Sequence, residues 1–332
     1  MSATAPLRLG IALRPGEGAE WERALAWVEL AERLGLDSVW VPEGHFHRGA
    51  MAAPLAALAA FAVRTRRLRL GTTSLLLPIH HPLRIAAEVA ALDNLSGGRV
   101  VLGLGRGFRS PVFRGFGVAP RAKRDRFDAG LDAILAAWAG VRPESEGAAA
   151  DGDEPPLALR PVQEPHPPLV VAAFGPKGLR QAAARSLPYL ASPIETLDAL
   201  VENWELWREH APEPRPATVP VMRVVYVAEG LGDAMRVKTA LVEELAHVPP
   251  RAPEAITRAA RGRPEDRIIV GSASEVAESI ERYRDRLGMD LMVVRAEMPG
   301  IPSEASEHAL ARLAEDVLPR IGGVVSPPAP PG

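Results

Sequence analysis

The chain has 332 residues, 47% hydrophobic and 24% charged, with a formal net charge of −2. Without a global basic field, nucleic acid and anionic membrane surfaces are excluded as expected partners. The absence of cysteine excludes disulfides, thiolate nucleophiles and cysteine-held metals, which suits a reducing cytoplasm.

Residues 1–16 show neither a basic leader nor a long apolar run, and no stretch of about 18 apolar residues occurs, so a cytoplasmic, non-membrane protein is expected. Short apolar runs then alternate with helical patterns. "LRLGIAL" (7–13) precedes a helix predicted over 20–34, and "DSVWVPE" (37–43) precedes one opened by Pro54. "LRLGTTSLLLP" (68–78) and "RVVLGLG" (99–105) are the third and fourth strands, with a helix from Pro82 between them. A helix carrying Phe127, Leu131, Ile134 and Trp138 follows. Residues 143–168, rich in proline, glycine and acids, read as an extended surface connection. Strands at 169–174, 189–192, 221–228 and 290–294 complete a set of eight, with helices between them. Residues 229–270 form a partly helical insertion after strand seven, and "SASE" (272–275) has the spacing of a capping box. A last helix is expected over 304–318, and 322–332 read as a disordered tail.

Eight βα units with wholly apolar strands predict a parallel sheet covered by helices. A single (β/α)8 barrel over 1–321 is the expected fold, with a doubly wound open sheet as the alternative. In a barrel, chemistry sits where strands end and βα loops begin. Those places carry polar residues: Arg14; Glu43, His45 and His47; Thr72–Ser74; Arg106 among glycines; and "FGPKG" (174–178) before a helix. The last offers helix-start N–H groups and Lys177, a ready anion site that the Arg106 guanidinium can complete. "GLGRG" (103–107) has the wrong spacing for a dinucleotide fingerprint.

"VPEGHFHRG" (41–49) places Glu43, His45 and His47 on alternate residues, which point to one side if the strand stays extended. Metal ligation, acid–base chemistry and plain polar termination of a strand are all open to such a set. A metal site needs further ligands, and none of the other histidines (80, 81, 166, 210, 247 and 308) falls at the end of strands five to eight. No metal is therefore expected.

"LPIHHPLRIAAEVAALDNLSGGRVVLGLGRGF" (77–108) resembles the signature stretch of bacterial-luciferase-like flavin oxidoreductases. "GLDSVWVPEGHF" (35–46), "RSPVFRGFGV" (109–118) and "VGSASEVAESIERYRDRLGMDLMVV" (270–294) match in order and spacing. The resemblance implies a (β/α)8 barrel, a homodimer built on the second and third helices, and a cofactor that is reduced FMN or the deazaflavin coenzyme. It implies that Thr73 and Ser74 support the flavin ring through a non-proline cis peptide. Arg106, Phe174, Gly175, Lys177 and Gly178 would hold the phosphate. Glu43 would lie near the ring, and His45 would take an acid–base role with it. Two positions depart from luciferase itself: Gly44 stands where its catalytic histidine is, and Gly105 where its reactive cysteine is. The implied function is a monooxygenase that takes reduced FMN from a separate NAD(P)H-dependent flavin reductase. It would oxidise a small organic substrate with molecular oxygen through a flavin hydroperoxide, with 229–270 as a lid. Deazaflavin-dependent hydride transfer and a non-catalytic flavin-binding subunit are the alternatives.

Overall fold

The computed structural model describes residues 6–14, 20–47, 49–141, 157–212, 216–246 and 254–325. Its ten strands are β1 (Arg8–Ala12), β2 (Ser38–Val41), β3 (Arg69–Thr72), β4 (Leu75–Leu76), β5 (Val100–Gly105), β6 (Leu169–Ala172), β7 (Tyr189–Leu190), β8 (Pro220–Val227), β9 (Ile268–Gly271) and β10 (Leu291–Arg295). All pair in parallel, in the order β7-β6-β5-β3-β2-β1-β10-β8-β9, with β4 beside β5. Past the end of β7, Ala191 bridges to Val221 of β8. The strands are apolar because both faces are covered: every residue of β2 and β5 is buried. One cluster collects Trp40, Val101, Val170, Leu190, Leu291 and Val293, with Ala12 and Met222 against it. Its members and the two residues against it come from seven strands. Gly71 supplies the space on β3 by leaving room for the Trp40 indole, which a Cβ there would strike.

The helices are α1 (Glu20–Arg33), α2 (Pro54–Arg64), α3 (Pro82–Ser96), α4 (Ser110–Gly115), α5 (Lys123–Trp138), α6 (Pro176–Ala183), α7 (Leu197–His210), α8 (Leu231–Ala246), α9 (Glu254–Ala259), α10 (Ala273–Leu287) and α11 (Ser303–Arg312). Proline at the first turn starts α2 and α3, where its missing N–H costs nothing. The Ser272–Glu275 capping box forms and opens α10. No helix is long and apolar enough to cross a membrane among the described residues.

Several elements differ from the sequence reading. The third predicted strand is broken into β3 and β4 at Thr73–Ser74. Residues 229–270 contain α8 and α9, and their last part begins β9, which pairs with the outer half of β8. Of the 143–168 connection, 157–168 carries no helix or strand, and the earlier part lies outside the described residues. Asp93 ties this segment down by accepting the N–H groups of Val162 and Gln163 at 2.9 and 3.0 Å. The expected tail falls outside the described residues from 326 onward, but Gly323 bridges to Leu7 and the Val324 N–H donates to the Leu7 carbonyl at 3.0 Å.

Candidate active site

A cavity of about 1280 Å³ opens where the parallel strands end. Its wall takes residues from the exits of β1, β5, β6, β8 and β10, from the β3–β4 break, and from α8, α9 and α11. Loops leaving the carboxyl ends of strands converge there because every strand runs the same way.

At the centre of one wall the peptide bond between Thr73 and Ser74 is cis, at the place the resemblance implies. Hydrogen bonds hold this turn on both sides. The Thr73 N–H donates to the Val41 carbonyl at 2.8 Å, and the Glu43 N–H to the Ser74 carbonyl at 3.3 Å. The Thr73 hydroxyl donates to the Met222 sulfur at 2.9 Å across the cavity floor. Glu43 locks the far side. Its carboxylate accepts the Leu76 N–H at 2.6 Å and lies 2.7 Å from His45 Nε2 and 2.8 Å from His80 Nε2. Burial alone would raise the Glu43 pKa, but the His80 hydrogen bond and charge, the Leu76 N–H and His45 together hold it below the ordinary value. An ionised carboxylate only accepts, so both imidazoles carry their proton on Nε2.

The structure keeps Glu43 and His45 in contact, but only one of them faces the cavity. Glu43 lines the cavity, whereas His45 is not part of its wall. β2 ends at Val41, and Phe46 takes a left-handed φ of 59°, so residues 43–47 do not continue the strand. The His45 ring is pinned between Glu43 and an edge-on contact with Phe116, centroids 4.8 Å apart. A Cβ at Gly44 would lie 3.0 Å from His47 Nε2, and one at Gly105 would strike the Ser74 hydroxyl. Among the described residues no group of three or more His, Asp or Glu is placed to hold a metal.

The expected phosphate residues Arg106, Phe174, Gly175, Lys177 and Gly178 all line one end of the cavity. Arg106 lies so close over Gly178 that any Cβ there would meet its guanidinium. It makes no hydrogen bond or salt bridge among the described residues. Burial and then the Arg124 charge lower its pKa, with Asp128 partly opposing. Lys123 is lowered likewise by burial, Arg106 and Arg124. It donates to the Gly107 carbonyl at 3.3 Å. Arg180 brings the cations lining this end to five, and no lining carboxylate stands among them. Sequence reasoning missed Lys123, Arg124 and Arg180. The run "RAKR" (121–124) was a visible signal, but its return to the cavity depends on how α5 packs.

The opposite end is different. Arg14, Arg23, Arg258 and Arg295 line it together with Glu20, Glu244, Glu254 and Glu297. Arg23 pairs with Glu297 at 2.9 Å, and Arg295 with Glu244 at 2.9 and 3.0 Å. Beneath these charges the wall is apolar, with Val224, Leu245, Ile256, Met298 and Ile301. Beside the floor, outside the wall, the fully buried Glu195 accepts the Tyr189 hydroxyl, the Ser192 N–H and the Asn203 amide. Burial raises its pKa to about 7.

The luciferase-like monooxygenase family matches residues 4–290 of this chain. The chain belongs to that family. It is therefore an oxidoreductase of the monooxygenase class, with flavin-dependent relatives. The 4-hydroxyprotoasukamycin monooxygenase of Streptomyces nodosus subsp. asukaensis is 29% identical over 325 residues, covering 91% of this chain and 87% of its own. The oxygenase component of the flavin-dependent trigonelline monooxygenase of Acinetobacter baylyi is 24% identical, covering 90% and 89%. The crystal structure of monooxygenase RslO1 from Streptomyces bottropensis superposes with a TM-score of 0.76 at 28% identity, covering 95% of this chain and 99% of that one.

Proposed function

We propose that this luciferase-like protein is the oxygenase of a two-component system. It takes reduced FMN from a separate NAD(P)H-dependent flavin reductase and uses molecular oxygen to oxidise a small organic substrate. The observation that carries the reading is Arg106: a half-buried guanidinium without a partner among the described residues, seated so close over Gly178 at the start of α6 that a Cβ there would displace it. A phosphate monoester is what this donor set fits, since a guanidinium grips it with paired bonds and the helix start adds the Lys177 N–H, those of Gly178 and Leu179 being taken by the Gly175 carbonyl. Lys177 and Lys123 add charge, and Phe174, Gly175 and Gly178 let the ligand approach the backbone.

When bound, the reduced flavin supplies the electrons that activate oxygen. The protein's own part is positional. The Thr73–Ser74 turn offers the ring a flat bed, and Glu43 fixes that turn through the Leu76 N–H. His45 and His80 are positioning residues that keep Glu43 ionised and oriented. Apolar walls and the insertion over 229–270, with Leu245 and Ile256 at the cavity, keep water from the reacting centre. The strands contributing to the Trp40 cluster, with the Ala191–Val221 bridge, support an eight-strand barrel closed on itself. The reading extends to a cytoplasmic homodimer on α2 and α3, whose exposed Val63 and Leu95 suit an interface.

A second reading has its own observation. Five lining cations exceed what one phosphate dianion neutralises, which favours a deazaflavin coenzyme with a more anionic tail. Titrating the protein with FMN and with the deazaflavin in parallel decides between them. The monooxygenase reading expects FMN binding and substrate-dependent oxygen uptake with reduced FMN. Binding of the deazaflavin alone would end it.

A further inference from the structure

Among the described residues two side chains of the cavity wall carry buried polar atoms without a hydrogen-bond partner, Arg223 (Nε and Nη2) and Ser306 (Oγ), and only Arg223 has other bonds, to the Pro193 and Glu195 carbonyls. Ser306, in the first turn of α11, lines the cavity and is 3% exposed. Its hydroxyl is buried and has no hydrogen-bond partner among the described residues. A helical serine ordinarily bonds back to the carbonyl four residues earlier. Here the Pro302 carbonyl accepts the Ser306 N–H at 3.1 Å, and the hydroxyl makes no bond to it. Buried hydroxyls without partners are rare, and each asks what it serves. Val224, Leu245, Met298 and Ile301, which also line the cavity, offer no polar atom from their side chains, and the Ser303 hydroxyl is taken up by Glu307 at 3.2 Å.

We propose that Ser306 is a specificity-determining residue, and that this end of the cavity takes a neutral, mainly apolar molecule whose single carbonyl or hydroxyl oxygen bonds to the Ser306 hydroxyl. The inference rests on the reading of the cavity as shared between a flavin and a substrate. Size supports sharing: about 1280 Å³ exceeds the roughly 300–1000 Å³ of a pocket for one drug-sized ligand. Charge gives an ionic occupant little advantage here. Among the described residues the four arginines and four glutamates named above sum to zero, and two pairs of them already neutralise each other; Arg223, a further arginine lining the cavity, is 1% exposed and donates to the Pro193 and Glu195 carbonyls. A hydrocarbon would fill the apolar wall but leave the hydroxyl unpaired. A ketone or alcohol satisfies it, and a site built to bond an oxygen discriminates against the analogue that lacks one.

Carvone and limonene share one carbon frame and differ in the ketone, which makes them a matched pair of probes. Calorimetric titration of the full-length, flavin-free protein should show wild type binding carvone. Ser306→Ala should weaken carvone about 3- to 10-fold, the usual range for one neutral hydrogen bond, and leave limonene within about twofold. Ser306→Thr, which keeps the hydroxyl, should restore most of the loss. Ser306→Ala should melt at the same temperature as wild type or higher, because it removes an unpaired group. A lower melting temperature assigns the hydroxyl a structural role and overturns the proposal. So does equal weakening of both probes, an unchanged carvone affinity as expected if only water occupies the site, or no carvone binding by wild type. FMN titrated into the same samples separates the two readings. Unchanged FMN binding with no carvone effect refutes Ser306 alone. Failure of wild type to bind FMN, with the carvone pattern intact, refutes the flavin reading and leaves Ser306 assigned.

Discussion

At one end of the cavity Arg106, Lys123, Arg124, Lys177 and Arg180 stand without a carboxylate among them, while at the other four arginines meet four glutamates above an apolar wall. Both ends carry many charges, so the count of charges does not distinguish them. Their pairing does. Burial first, and the neighbouring cations second, lower the pKa of Arg106 and Lys123, a cost that an arriving anion offsets. Cations paired to glutamates have already satisfied one another and serve to rim a pocket for something neutral. One cavity thus has an end prepared for a charged ligand and an end prepared for an uncharged one, with the Thr73–Ser74 turn between.

The largest expected effect comes from removing the centre of the cationic end. Arg106→Met should weaken FMN binding roughly a hundredfold, the product of two charge-assisted bonds at about 1.5 kcal/mol each. It should leave carvone binding at the other end unchanged. Fluorescence titration of FMN checks the first part and calorimetry the second. An equal loss at both ends would mean that the cavity is one undivided site.

Next in size is Glu43, which stands between the ends. Glu43→Gln keeps an acceptor for the Leu76 N–H but removes the charge that two imidazoles face, and should cost about 2 kcal/mol of stability. The pH dependence has a definite sign. Since the folded pKa is lowered from 4.5, Glu43 contributes stability above that pH, and the contribution is lost as pH falls through the folded value. Melting curves between neutral pH and pH about 3 should show the wild type losing its advantage over Glu43→Gln. Curves that stay parallel would show that Glu43 is not held ionised by its neighbours.

How much of this was legible before the structure depends on whether a signal was local. Strand exits are local, since an apolar run that meets a polar residue marks one, and Glu43, Thr73, Arg106 and Lys177 were found that way. Side-chain direction beyond an exit is not local. Alternation put Glu43, His45 and His47 on one side, but β2 stops at Val41 and Phe46 turns the chain, so His45 meets the carboxylate from outside the cavity wall. β9 escaped because its four residues follow the arginine-rich "RGRPEDR" and pair only with the outer half of β8. Ser306 carried no signal at all: a serine in a helical stretch is ordinary until its hydroxyl is seen without a partner.

A glycine tests the cationic end more gently. Gly178→Ala places a methyl against the end of the Arg106 side chain and 2.9 Å from the Ala173 Cβ. A guanidinium on a flexible stem can move aside, so the chain should fold with a stability cost of about 1 kcal/mol. The displaced Arg106 should then bind FMN about tenfold more weakly. Unchanged affinity would show that Arg106 holds the phosphate from another position.

The smallest effect, a few-fold, is the one that probes the comparison without altering a residue. Raising the salt from about 0.1 M to about 1 M shortens the screening length from about 10 Å to about 3 Å. Lys177, Arg124 and Arg180 are exposed, so their attraction for a dianion is screened, while the half-buried Arg106 keeps more of its own. FMN affinity should therefore fall a few-fold and then level off in wild type. In Arg106→Met it should continue to fall, because only the exposed cations remain. Carvone at the balanced end should bind slightly tighter, since salt strengthens the burial of apolar surface and there is no net charge to screen. Should carvone affinity fall in step with FMN, the four arginines and four glutamates are not neutralising one another, and the division of the cavity into a charged and an uncharged end would be lost.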